Sequence, residues 1–102
     1  MDRKQFTEYL EDFFKKGLDL VRAKNMDYAS EGDPFRNFNL AQTMGVTDSK
    51  TALMVRMCDK VSRIATLLKQ ERTVQDETIH DTLQDLSNYA AILSAMISNE
   101  KP

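Results

Sequence analysis

The apolar residues of this chain return every three to four positions in three separate stretches, and no stretch alternates long enough for a strand. That period restricts the fold more than any other feature, because it places one apolar face on each of three long helices and offers nothing to a sheet. In the first stretch Phe6, Leu10, Phe13, Gly17 and Val21 share a face, with Tyr9, Phe14 and Leu20 beside it. Lys15, Lys16, Asp19 and Arg22 point the other way, so a helix is predicted over about residues 3–25. Gly17 costs about 1 kcal/mol against alanine inside a helix, which suggests a close neighbour there.

"EGDPF" restarts the chain. Asp33 suits an N-cap and Pro34 the first helical position, so a short helix is predicted near 34–43, with Gly45 ending it. The next stretch, "TDSKTALMVRMCDKVSRIATLLKQ", takes Thr47 or Ser49 as cap. Its predicted core stripe is Met54, Met57, Cys58, Val61, Ile64, Ala65 and Leu68, with Cys58 a buried, inert thiol. Asp76 is the expected cap of the last helix, whose stripe is Ile79, Leu83, Leu86, Ala90, Leu93 and Ile97. The expectation is a single all-α domain over 1–102, with three long antiparallel helices, one short helix and a frayed tail from about 98.

Helices of about 22 residues span some 33 Å, which is long for a lone domain of this size. Leu53, Leu67, Ile92 and Met96 fall outside the main stripes and call for further cover, so a homo-oligomer is expected. The formal net charge of -2 argues against polymeric nucleic acid as a partner. No apolar run reaches membrane-spanning length, and the acidic start "MDRKQFTEYLEDFF" lacks a signal peptide's apolar core, so a cytoplasmic protein is expected.

Two polar faces carry chemistry. Glu77, Asp81 and Asp85 are spaced by four, and Asn88 completes an arc of about 80° on the last helix. Stacked carboxylates repel, and a hard cation such as Mg²⁺ with oxygen ligands would relieve them. On the preceding helix Arg56, Asp59, Lys60 and Arg63 form a strip. Its three cations suit phosphate oxygens, while Asp59 can orient an arginine or join the acids around a metal. The bland alternative, two solvated faces, applies to both. His80 lies off both faces, and no phosphate loop or nucleophile motif is present.

The segments "AKNMDYASEGDPFRNF", "RMCDKVSRI" and "DETIHDTLQDLSNYAAIL" together resemble a family of small phage and bacterial proteins. These proteins are nucleotide-modification-associated and similar to MazG-like all-α nucleotide pyrophosphohydrolases. The resemblance covers about residues 24–93. It implies a nucleotide ligand, with Lys24, Arg56, Lys60 and Arg63 on phosphates and Asp59, Glu77, Asp81 and Asp85 around Mg²⁺. Asn25, Asp27, Tyr28, Phe35, Asn37, Phe38 and Asn88 would then meet the base and sugar, the aromatics by stacking. The enzymes typically pair ExxE with a later ExxD. Here Glu8 and Glu11 have the first spacing, and the later acids are spaced by four. Three functions follow: Mg²⁺-dependent hydrolysis, sequestration of a linear or cyclic nucleotide signal, and a scaffold without a ligand.

Overall fold

A computed structural model describes the backbone of residues 1–28, 34–70 and 72–100 and the side chains of 1–24, 34–70 and 78–100. Four helices run through these residues: α1 Arg3–Tyr28, α2 Arg36–Thr43, α3 Ser49–Leu67 and α4 Arg72–Asn99. No strand occurs among the described residues, so the chain is all-α. No helix among them is long and apolar enough to cross a membrane.

Local chemistry explains the helix ends. At the start of α1 the Gln5 amide donates to Asp2 Oδ1 at 2.8 Å and the Asp2 amide donates to Gln5 Oε1 at 2.9 Å, a reciprocal capping box. Gly45 stops α2 as expected, at φ 75°. Its amide donates to the Gln42 carbonyl at 3.0 Å and the Val46 amide to the Ala41 carbonyl at 2.9 Å. This is a Schellman closure, which needs the left-handed backbone that glycine adopts without strain.

Three predicted starts shift. Pro34 lies in a turn before α2, and Phe35 occupies the cap position without a side-chain bond. The predicted cap Asp33 lies outside the described residues. Asp48, rather than Thr47 or Ser49, caps α3: its carboxylate accepts from the Thr51 hydroxyl at 2.7 Å and the Thr51 amide at 2.8 Å. These two bonds, the hydroxyl's first, hold the Asp48 carboxyl below its ordinary pKa. α4 begins at Arg72, which puts Asp76 inside the helix instead of at its cap. At the other end α4 reaches Asn99, and Lys50 holds the Glu100 carboxylate at 2.7 Å, so the tail is anchored beyond the expected 98.

α3 packs on α4, α2 on α3, and α1 on α4. The core lies where α2, α3 and α4 meet. Phe38, Leu53 and Met96 are buried there, with Phe35, Met57, Tyr89, Ile92 and Leu93 packed against them. The predicted stripe of α3 is therefore turned away from the inward face. Leu53, Met57, Lys60, Ile64 and Leu67 point inward, about 80° around the helix from the expected centre. Met54, Val55, Val61 and Leu68 are exposed, Met54 at 46%, and Cys58 is exposed rather than buried. On α4 the predicted Ile79 is buried, whereas Leu83 and Ile97 are exposed and Met96, left outside the stripe, is core.

One chain does not cover all of this apolar surface. It exposes 7892 Å², against about 5,900 Å² for a compact protein of this mass. Its radius of gyration is 15.7 Å, where about 13 Å is usual for this length. Phe6, Phe14 and Leu18 of α1 add to the exposed apolar residues of α3.

Gly17 marks the meeting of α1 and α4. A Cβ there would fall 2.6 Å from Gln84 Nε2 and 2.8 Å from Asn88 Oδ1, so the missing side chain allows the approach. Asn88 Nδ2 donates to the Gly17 carbonyl at 3.2 Å across the contact.

Candidate functional site

The basic strip of α3 lies along the seam with α4, and its members differ in environment. Lys60, one turn from both Arg56 and Arg63, turns inward and meets Asp85 of α4 at 2.9 Å. The two side chains are 24% and 31% exposed, so the pair is partly withdrawn from water. The Arg56 guanidinium carbon sits 5.1 Å from the centre of the Phe38 ring. On its other contact Phe38 meets Tyr89 edge-on, centroids 6.2 Å apart. A cation held over a ring keeps its in-plane N–H groups available to an anion. Arg63 and Asp59 are exposed on the same flank.

The acidic arc of α4 is divided, because α4 lies between two neighbours. Asp85 faces α3 and pairs with Lys60. Asp81 instead lines a groove against α1. Asn88 also turns to α1, through its bond to Gly17. Glu77 lies in the helix, but its side chain is outside the described residues. Among the described residues no three His, Cys, Asp or Glu side chains come together in a way that could hold a metal ion. Of the four predicted metal ligands, Asp59 lies in the basic strip, Asp81 faces α1, and Asp85 already has Lys60 as its counter-charge.

Two of the aromatic candidates are taken up by the core. Phe38 is 6% exposed and belongs to the core, and Phe35 is half-buried against the same cluster. Phe38 thus offers no open face for a base. Asn37 is exposed, and Lys24 is exposed near the end of α1. Asn25, Asp27 and Tyr28 fall on the last turn of α1, with side chains outside the described residues.

Two concave regions are lined by described residues. One, of about 710 Å³, includes Phe35, Asn39, Gln42, Asp48, Ser49 and Glu100 in its wall. Its polar groups largely satisfy one another: Ser49 Oγ donates to Asn39 Oδ1 at 2.7 Å, and Lys50 binds Glu100. The other, of about 500 Å³, is the α1–α4 groove, with Tyr9, Phe13 and Lys16 on one wall and His80, Asp81 and Gln84 on the other. Sequence spacing did not point to this groove. Its one signal was Gly17, a helix-interior glycine on the face that meets α4.

A family model described as nucleotide modification associated domain 1 matches residues 24–98. No curated protein and no solved structure matches the chain.

Proposed function

This chain belongs to the nucleotide modification associated domain 1 family, and on that premise we propose that it binds a nucleotide along the seam between α3 and α4. The observation that carries the reading is the Lys60–Asp85 pair with Arg56 and Arg63 one turn to either side. An arriving phosphate takes the place of the Asp85 carboxylate at Lys60, and Arg56 adds its planar fork. Lys24, Asn25, Asp27, Tyr28 and Asn37 are the remaining candidates for sugar, base and outer phosphates, while Asn88 is turned to α1.

Binding without chemistry is the form of this function that we favour. Lys60 already neutralises Asp85, and the described acids do not converge as a MazG-like hydrolase would need. The protein then holds a linear or cyclic nucleotide and returns it intact. The test is a thermal-shift series with mono-, di-, tri- and cyclic nucleotides, each with Mg²⁺ and with a chelator. One class should stabilise the fold by about 2.7 kcal/mol at a hundredfold excess over Kd, equally in both conditions, with the ligand recovered unchanged. A Mg²⁺-dependent shift with product release would replace this reading by metal-dependent hydrolysis. No shift with any nucleotide would leave the scaffold.

The same reading takes the chain as a homo-oligomer. Its support is the excess of about 2,000 Å² of surface over a compact monomer, comparable to what one partner contributes to an obligate interface. Sedimentation at micromolar concentration should give at least twice the 11.7 kDa chain mass. A monomer at that concentration would refute the assembly.

A further inference from the structure

Gln84, on the wall of the α1–α4 groove, carries an unmet donor. Gln84 is 8% exposed, and its amide nitrogen is buried without a hydrogen-bond partner among the described residues. A buried N–H loses its water and normally regains a partner, so an orphan of this kind points to an acceptor supplied from outside. Gly17 makes the room: any Cβ there would press on this nitrogen.

The rest of the lining narrows the chemistry of that acceptor. Tyr9 and Phe13 bring aromatic surface, and Leu20 extends the apolar wall. Among the charged rim groups Lys16 is already bound to Asp12 at 3.0 Å. That leaves Asp19 and Asp81 as negative charge at the opening. An anionic ligand is repelled there, whereas a neutral ring is not. The groove's size, about 500 Å³, suits a small molecule. Tyr9 and Leu20 are themselves exposed in this groove, and a further exposed apolar face lies elsewhere on the helix. On α1, Phe14 and Leu18 are about 160° around the helix from Lys16.

We propose that this groove is a second ligand site, taking an uncharged nucleobase or nucleoside whose ring lies on Tyr9 and Phe13 and whose edge acceptor receives the Gln84 amide. It deepens the nucleotide reading by assigning the bare base to a place apart from the phosphate strip. Six of its lining residues, from Tyr9 to Leu20, also precede the segment matched by the family model.

The experiment titrates the full chain with adenosine, guanosine, cytidine and uridine, and with their 5′-monophosphates, by calorimetry. At least one nucleoside should bind, with its monophosphate about tenfold weaker or worse in the groove. Gln84→Leu should weaken the nucleoside by at least tenfold while the ligand-free melting temperature stays level or rises, because an unmet donor has been removed. The same variant should leave Arg56-dependent nucleotide binding unchanged, which separates failure of this site from failure of the seam. Three results would overturn the proposal. These are no nucleoside binding, equal affinity in Gln84→Leu, or a changed oligomeric mass in that variant, which would assign the groove to a second copy.

Discussion

Leu53→Ala is expected to lower the unfolding free energy by about 3–5 kcal/mol. Leu53 is the one fully buried large side chain among the described residues, at 0% exposure, and it packs with Phe38 and Met96. Removing three carbons loses their transfer free energy and leaves a cavity that three different helices would have to close. For a domain of ordinary stability this is a third or more of the total, about 5–15 kcal/mol. Met54→Ala, the adjacent exposed position, is the control. Urea unfolding should show little change for a dissociated Met54→Ala chain and a large one for Leu53→Ala. A Leu53→Ala cost below about 1 kcal/mol would mean that the core lies elsewhere.

The second large effect concerns the Lys60–Asp85 pair. Lys60→Ala should weaken nucleotide binding by about 1.5–3 kcal/mol, or roughly ten- to a hundredfold, through loss of a charge-assisted contact. It should also destabilise the ligand-free fold by about 1 kcal/mol, because Asp85 is only 31% exposed and would lose its partner. The sequence alone predicts no such cost, since it presents Lys60 as a member of an exposed strip. Asp85→Asn gives the decisive sign. If phosphate displaces the carboxylate, the substitution frees Lys60 and tightens binding. If Asp85 holds a metal that holds the phosphate, binding weakens, and does so only when Mg²⁺ is present. Calorimetry of the two variants with Mg²⁺ and with a chelator distinguishes these outcomes.

Much of the fold was legible from helical period and from two glycines. Gly45 ends α2 where expected, Gly17 sits at a close helix contact, and the long helices occupy their predicted stretches. The rotation of α3 was not legible. Its apolar arc runs from Leu67 through Leu53 and Ile64 to Val61 and Cys58, wider than one neighbouring helix can cover. Periodicity gives the centre of such an arc, whereas the buried part depends on where Phe38 and Met96 dock. The cap of α3 was ambiguous for a local reason, because "TDS" offers three capable side chains in a row. Thr51, able to donate twice to one carboxylate, decides for Asp48.

The candidate site was legible only helix by helix. Asp81, Asp85 and Asn88 do share an arc of α4, as their spacing requires. That arc, however, straddles two interfaces, so Asp85 goes to α3 while Asp81 and Asn88 go to α1. A spacing rule describes one cylinder and carries no information on how many others touch it. The buried amide of Gln84 was hidden for the same reason, since nothing in its sequence context distinguishes it from a solvated glutamine.

The contact at Gly17 also bears on the order in which the chain is assembled. Asn88 reaches the Gly17 carbonyl across 71 residues, and α1 finds its packing surface on α4, which is made after α2 and α3. On a ribosome adding about 5–20 residues per second, α1 waits several seconds with Phe13 uncovered while α2 and α3 are made. α2 and α3, neighbours in sequence, can associate at once, but closing the long loop to α1 comes with the largest entropy loss in the fold. Of these four helices, the one made first is the last to dock.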